Sequence, residues 1–242
     1  MDSSSRPSPT PFARRAFAFT LIELLVVVVI IAVLAALLMP ALSGVMENAN
    51  RTKCMSNQRQ LVQAMILYAA DTNGYLPYPN WGNRKGETGW LYDPTDMTLP
   101  EHRERGLIWK YVKNPEIYRC PLDNPPKEEL EKRAQRISSY CVNGAVCGYK
   151  APTAAPPENT FRITQFPGNA IMLWEQEGGS EGMWFNDASN HPSQFITDRH
   201  KGGCVLTCFD GHSEFLRWEE YLPLLDNLPG RLWCSPGTQT GK

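Results

Sequence analysis

Polarity along the chain changes abruptly at residue 17. The stretch "FAFTLIELLVVVVIIAVLAALLM", residues 17–39, holds a single charged side chain, Glu23, and residues 24–39 hold none. Counted from Phe19, an apolar helix of about 21 residues crosses a hydrocarbon core of about 30 Å at about 1.5 Å per residue. Residues 1–18 are polar, rich in Ser and Pro, and carry Arg14 and Arg15. Basic flanks stay cytoplasmic, so the pattern predicts one span with its N-terminus inside and the rest of the chain on the other side. A cleaved secretory signal has a shorter apolar core and a small-residue cut site behind it, for which "PALSG" is a loose match. A plain anchor fits the length. Neither accounts for Glu23, whose carboxylate costs a few kcal/mol at membrane depth.

Beyond Pro40 the pattern becomes amphipathic. Leu42, Val45, Ala49, Cys54, Gln58, Leu61, Met65 and Tyr68 recur mostly at three- and four-residue steps, with polar residues between them. The spacing predicts a helix continuing to about Ala70, roughly 80 Å in all and kinked at Pro40. "DTNG" at 71–74 supplies the stop, and Pro77 and Pro79 block continuation. Downstream, residues 106–123 predict a short helix and a loop, "PPKEELEKRAQR" a short polar surface helix, "APTAAPPENT" an exposed loop, and "NAIMLWEQE" a buried strand. In "RHKGGCVLTCFDGHSEFLRW", Asp210–Gly211 separates two β-prone runs and predicts a hairpin with a two-residue loop. That register sets Phe209 opposite His212 and Thr207 opposite Glu214, with Leu206, Cys208, Ser213 and Phe215 on one face. Cys204 and Cys208, four apart on one strand, are about 13 Å apart and too far to bond.

The order of features at the N-terminus resembles type IV pilins and type II secretion pseudopilins: an Arg-bearing flank, a small residue, "FTLIE" and an unbroken apolar run. The resemblance implies that a prepilin peptidase cuts between Ala18 and Phe19 and that Phe19 is then N-methylated. Glu23 becomes the fifth mature residue and pairs with the terminal amine of a neighbouring subunit during filament assembly. Ala18 stands where that family usually has Gly. Pro40 falls at mature position 22, where pilins often carry Pro. A second resemblance rests on His200, nine residues, then Asp210–Gly211, with "NGYLP" and "YVKNPEIYRCPLD" upstream; it points to a large group of bacterial pilin-like proteins. The implied fold is α+β and pilin-like, a long N-terminal helix packed on a small antiparallel sheet. The implied organisation is a leader over 1–18, a span over 19–39, an amphipathic helix over 40–74, and a head over 75–242 with the H-x9-DG hairpin at 200–211. Implied partners are the chain itself and other pilin-like subunits, the peptidase/methyltransferase, an inner-membrane assembly platform and membrane lipid. The expected location is the bacterial inner membrane with a periplasmic head, or an extracellular filament.

Composition narrows the remainder. The formal net charge is −1, with no basic excess, which argues against a nucleic-acid partner. None of the seven cysteines lies in a C-x-x-C spacing, so a zinc ribbon has little support, and an odd count leaves at least one thiol without an intramolecular disulfide partner. His191, Asp198, His200, Asp210 and His212 are near one another in sequence, and Asp187, Asn190 and Asp198 could offer oxygens to calcium. The plainer reading makes Asp210 a turn residue and pairs Asp198 with His200 to fix the hairpin. Glu175 with Glu177, or Asp198 with His200, could be drawn as acid–base pairs, but no nucleophile motif or phosphate loop accompanies them, so catalysis is not expected. Seven Trp residues leave a different function open: a membrane-tethered module binding polysaccharide or protein through exposed Trp81, Trp90 and Trp184.

Overall fold

The computed structural model describes residues 20–81, 88–93, 97–148, 160–176, 185, 187–191, 196–239 and 241; at positions 40 and 41 only the backbone is described. Helix α1 runs over Leu21–Asp71 and continues across Pro40. It ends where the sequence predicts: Asn73 and Gly74 take positive φ of 55° and 89°, and the Gly74 amide donates to the Ala69 carbonyl at 2.7 Å.

The chain divides into two compact units, Met1–Met46 and Glu47–Lys242. In the first, Leu21–Met39 is long and apolar enough to cross a membrane, and its large side chains are exposed. In the second, α1 residues Cys54, Leu61, Val62, Met65 and Ala69 join the core with side chains of the sheet. The apolar stripe is therefore buried only from Cys54 onward; Leu42, Val45 and Ala49 are exposed and Tyr68 half-buried, so the helix packs on the sheet over less of its amphipathic length than the spacing suggests.

Among the described residues the sheet has five strands: β1 (Tyr140–Asn143), β2 (Ile171–Glu175), β3 (Ser189–Asn190), β4 (Gly203–Cys208) and β5 (Ser213–Arg217), in spatial order β3-β1-β2-β4-β5. It is mixed, because β3 pairs parallel with β1 while the other pairings are antiparallel. Every residue of β2 and β4 is buried, so neither shows the alternation of a half-exposed strand. Gln58 of α1 is wholly buried against β4, where its amide donates to the Val205 carbonyl at 2.8 Å. Three short α-helices follow α1 among the described residues: α2 (Trp109–Val112), α3 (Lys127–Lys132) and α4 (Trp218–Asp226), the last directly after β5.

The hairpin forms at the expected place but one residue out of the expected register. Thr207 faces Ser213 and Leu206 faces Glu214, and the Cys208 amide donates to the His212 carbonyl. The loop thus has three residues, Phe209, Asp210 and Gly211, with Gly211 at φ 87°. This is the type I turn plus left-handed glycine that Asp-Gly also favours. Since a one-residue shift exchanges faces, Val205, Thr207, Ser213 and Phe215 share one face and Leu206 joins Glu214 on the other.

Candidate functional site

Two places in the chain combine chemistry with position. The first is the start of α1. Thr20 precedes the helix, and its backbone N–H donates to Glu23 Oε2 at 2.9 Å, its hydroxyl to the same oxygen at 2.7 Å. In return the Glu23 amide donates to Thr20 Oγ1 at 3.2 Å. This reciprocal pair is a capping box: it satisfies two amides that a helix start leaves without partners and places negative charge at the positive end of the helix dipole. The signal T-x-x-E ahead of an apolar run is visible in the sequence. Ala18 and Phe19, the expected cleavage and methylation positions, lie outside the described residues.

The second place is a buried polar cluster built from four parts of the head. Its centre is His200, whose side chain has no exposed surface. His200 Nε2 lies 3.2 Å from Glu175 Oε1 and 3.5 Å from Cys120 Sγ, while Nδ1 faces Glu47 Oε1 at 3.2 Å. Cys54 from α1 completes the group, with Sγ 3.4 Å from the Tyr140 hydroxyl and 3.8 Å from Gln58 Nε2. Glu175 is held by the Val205 amide, which donates to its Oε2 at 2.8 Å. Arg199 Nη1 stands 3.5 Å from Glu175 Oε1, and its Nη2 is 3.4 Å from Asp123 Oδ1. Arg133 meets the buried Asp123 with two hydrogen bonds of 2.9 and 2.8 Å and stacks over the Phe185 ring at 3.8 Å.

Such proximity shifts proton affinities. Burial favours the neutral His200 ring, yet the Cys120 and Glu175 contacts outweigh it and raise its pKa to about 10. The hydrogen bond from Cys54 lowers the Cys120 thiol to about 7, against burial and with help from His200. Burial pushes Cys54 up. At Asp123 burial is outweighed by Arg133 and Arg199, and the carboxyl falls to about 2.

Other sequence-selected residues are placed as follows. Asp210 is a turn residue: its Oδ1 accepts from the His212 amide at 3.0 Å and meets His212 Nδ1 at 2.6 Å. The expected Asp198–His200 pair is replaced, because Asp198 is exposed while His200 turns inward to Glu47 and Glu175. Asp187 is buried and accepts from the Ser189 amide at 2.9 Å, a local cap for β3. Neither Asp187 nor Asp198 belongs to a converging group of possible metal ligands among the described residues. Trp90, expected on the surface, is fully buried, donates to the Ala188 carbonyl at 3.1 Å and stacks on Tyr118. Trp81 packs half-buried against the core, and Trp184 lies outside the described residues. An exposed binding surface of these three Trp residues is therefore not favoured.

Comparison with known proteins reaches the same end of the chain. Residues 13–39 match the prokaryotic N-terminal methylation motif. The chain is 42% identical over 103 residues to the type II secretion system core protein G of Aeromonas hydrophila, covering 42% of this chain and 68% of that protein. The corresponding protein of Vibrio cholerae is 32% identical over 102 residues, covering 42% of this chain and 66% of that one. The type IV wide pilus major component PilA4 of Thermus thermophilus is 44% identical over 62 residues, 26% of this chain and 47% of that protein. No solved structure matches the chain.

Proposed function

This chain belongs to the family of type II secretion core protein G and its pilin relatives, and from that premise we propose that it is a membrane-inserted structural subunit of a pseudopilus or pilus-like filament. The carrying observation is the coincidence, within 13–39, of the methylation motif, an exposed apolar helix and a carboxylate at its first turn.

In this reading the chain enters the inner membrane with Arg14 and Arg15 in the cytoplasm and its head in the periplasm. A prepilin peptidase cleaves between Ala18 and Phe19 and the new amine is methylated. Before assembly Glu23 is satisfied by Thr20 within its own chain, so a subunit waiting in the membrane does not expose a bare carboxylate to lipid. On joining an assembly platform and then the filament, Glu23 faces the cationic amine of a neighbour's Phe19. Either charge alone is costly in hydrocarbon; paired they offset one another, which favours the correctly docked subunit over a misplaced one. The chain performs no catalysis of its own, and the enzymes act on it.

The test is incorporation. Filaments sheared from cells expressing the chain should contain it, and Glu23→Ala should leave it in the membrane fraction but absent from filaments. Undiminished incorporation of Glu23→Ala would contradict the assembly role.

A further inference from the structure

A buried group in the head is used by none of the steps above. Cys54, Cys120, Glu175 and His200 each present one ligand atom, and these four atoms lie within 4.8 Å of one another. All four residues are buried, between 0% and 2% exposed. The two separations that involve His200 Nε2 match the edges of a tetrahedron around one small ion. Zinc at about 2.3 Å from sulfur and about 2.0–2.1 Å from nitrogen or oxygen sets S···N edges near 3.6 Å and N···O edges near 3.3 Å. The chain shows 3.5 Å between Cys120 Sγ and His200 Nε2, and 3.2 Å between that nitrogen and Glu175 Oε1.

Glu175 Oε1 supplies a second observation. It is buried and makes no well-directed hydrogen bond to any described residue, although its partner oxygen accepts from the Val205 amide. His200 Nε2 at 3.2 Å and Arg199 Nη1 at 3.5 Å face this oxygen without hydrogen-bond geometry, which leaves it bonding capacity that an ion between the ligand atoms would take up. The surroundings also fit a ligand set. His200 offers Nε2 to the group and turns Nδ1 to Glu47 Oε1 at 3.2 Å, the carboxylate–histidine arrangement that orients a metal-bound imidazole. Gln58 Nε2 and the Tyr140 hydroxyl approach Cys54 Sγ and can donate to a thiolate there. Arg199 faces Glu175 and balances the excess negative charge of two thiolates and a carboxylate around a dication.

We propose that Cys54, Cys120, Glu175 and His200 form a structural zinc site that ties α1 to the sheet of the head. Loading releases the thiol protons of both cysteines and any proton on His200 Nε2, while Glu175 enters as the carboxylate. All four positions are filled by protein, so the site holds structure and leaves no open position for a reacting water. A different grouping, Cys208, His212 and Glu214, is engaged by the Arg231 guanidinium, which reaches Cys208 Sγ at 3.4 Å and pairs with Glu214. The competing chemistry at the proposed site is a disulfide between Cys54 and Cys120.

The test uses the full chain purified in detergent. Elemental analysis should find about one zinc per chain, and cobalt(II) replacing it should give thiolate charge-transfer and tetrahedral d–d absorption bands. Cys120→Ser and His200→Gln should lower the zinc content at least about tenfold, whereas His212→Ala should retain it. Because the first two variants risk misfolding, the cobalt spectrum of the unaltered chain stands as an independent readout. A Cys54–Cys120 disulfide in a non-reduced digest, zinc-free protein that gives no cobalt bands, or zinc retained by both ligand variants would each overturn the assignment.

Discussion

At the scale of single residues, Glu23 carries two roles that substitution can separate. Its capping hydrogen bonds with Thr20 need an acceptor, which glutamine also provides; pairing with a neighbour's amine needs negative charge. Glu23→Gln should therefore keep the helix start intact and still fail to enter filaments, as Glu23→Ala does. Normal entry of Glu23→Gln, counted by quantitative blotting of sheared filaments, would reduce Glu23 to a cap. A buried pair in the head offers a second residue-level expectation. Arg133→Ala leaves Asp123 buried without its two-bonded partner and should cost about 3–5 kcal/mol in denaturant unfolding. The carboxyl is depressed to about 2 against about 3.9 when unfolded, so it contributes about 2–3 kcal/mol above pH 4. That contribution is fully present above the unfolded value and lost as pH falls from about 4 toward 2. Asp123→Asn should flatten this part of the stability–pH curve.

Among elements, the β4–β5 hairpin shows which parts of the fold can be read in advance. Asp-Gly between β-prone runs locates the turn, but two- and three-residue loops share that dipeptide, and only the observed pairing of Thr207 with Ser213 decides between them. Two glycines here are needed for different reasons. Gly211 holds φ 87°, and the nearest atom to an added Cβ is Ile66 Cδ1 at 3.8 Å, so Gly211→Ala carries only the left-handed penalty of about 1–2 kcal/mol. At Gly203 an added Cβ would meet the Leu216 carbonyl oxygen at 2.4 Å, a backbone clash. Gly203→Ala should thus destabilise more than Gly211→Ala, by about 3 kcal/mol or more. Equal midpoint shifts in thermal unfolding would contradict this placement of β4. The C-terminal end of α1 is legible because it depends on local chemistry, "DTNG"; the T-x-x-E cap at the other end is equally local but goes unread when only the apolar run is followed. Burial along its stripe was less so, since Leu42 and Cys54 both fit the helical period and only tertiary packing distinguishes them.

For the whole molecule, the methylation motif is local and reads directly from sequence, because a membrane span, its flank and its first-turn carboxylate lie within residues 13–39. The buried cluster does not read this way. Cys120 and His200 are 80 residues apart and Cys54 and Tyr140 are 86 apart, so no spacing motif joins them; the sheet order does. In sequence His200 and Glu175 suggest other partners, because β2 and the turn that leads into β4 become neighbours only in the folded sheet. Trp90 illustrates the reverse error: a Trp that follows Gly89 in a loop reads as exposed until its stacking on Tyr118 is seen.

The central claim is that this chain is processed and assembled as a pilin-like subunit. Its most direct test is the mass of the N-terminal peptide of the chain recovered from membranes of a host with an active prepilin peptidase. The account predicts a start at N-methylated Phe19, with Ala18 and everything before it removed. An intact Met1 start, or a start beyond Pro40 after removal of the apolar segment, would contradict it.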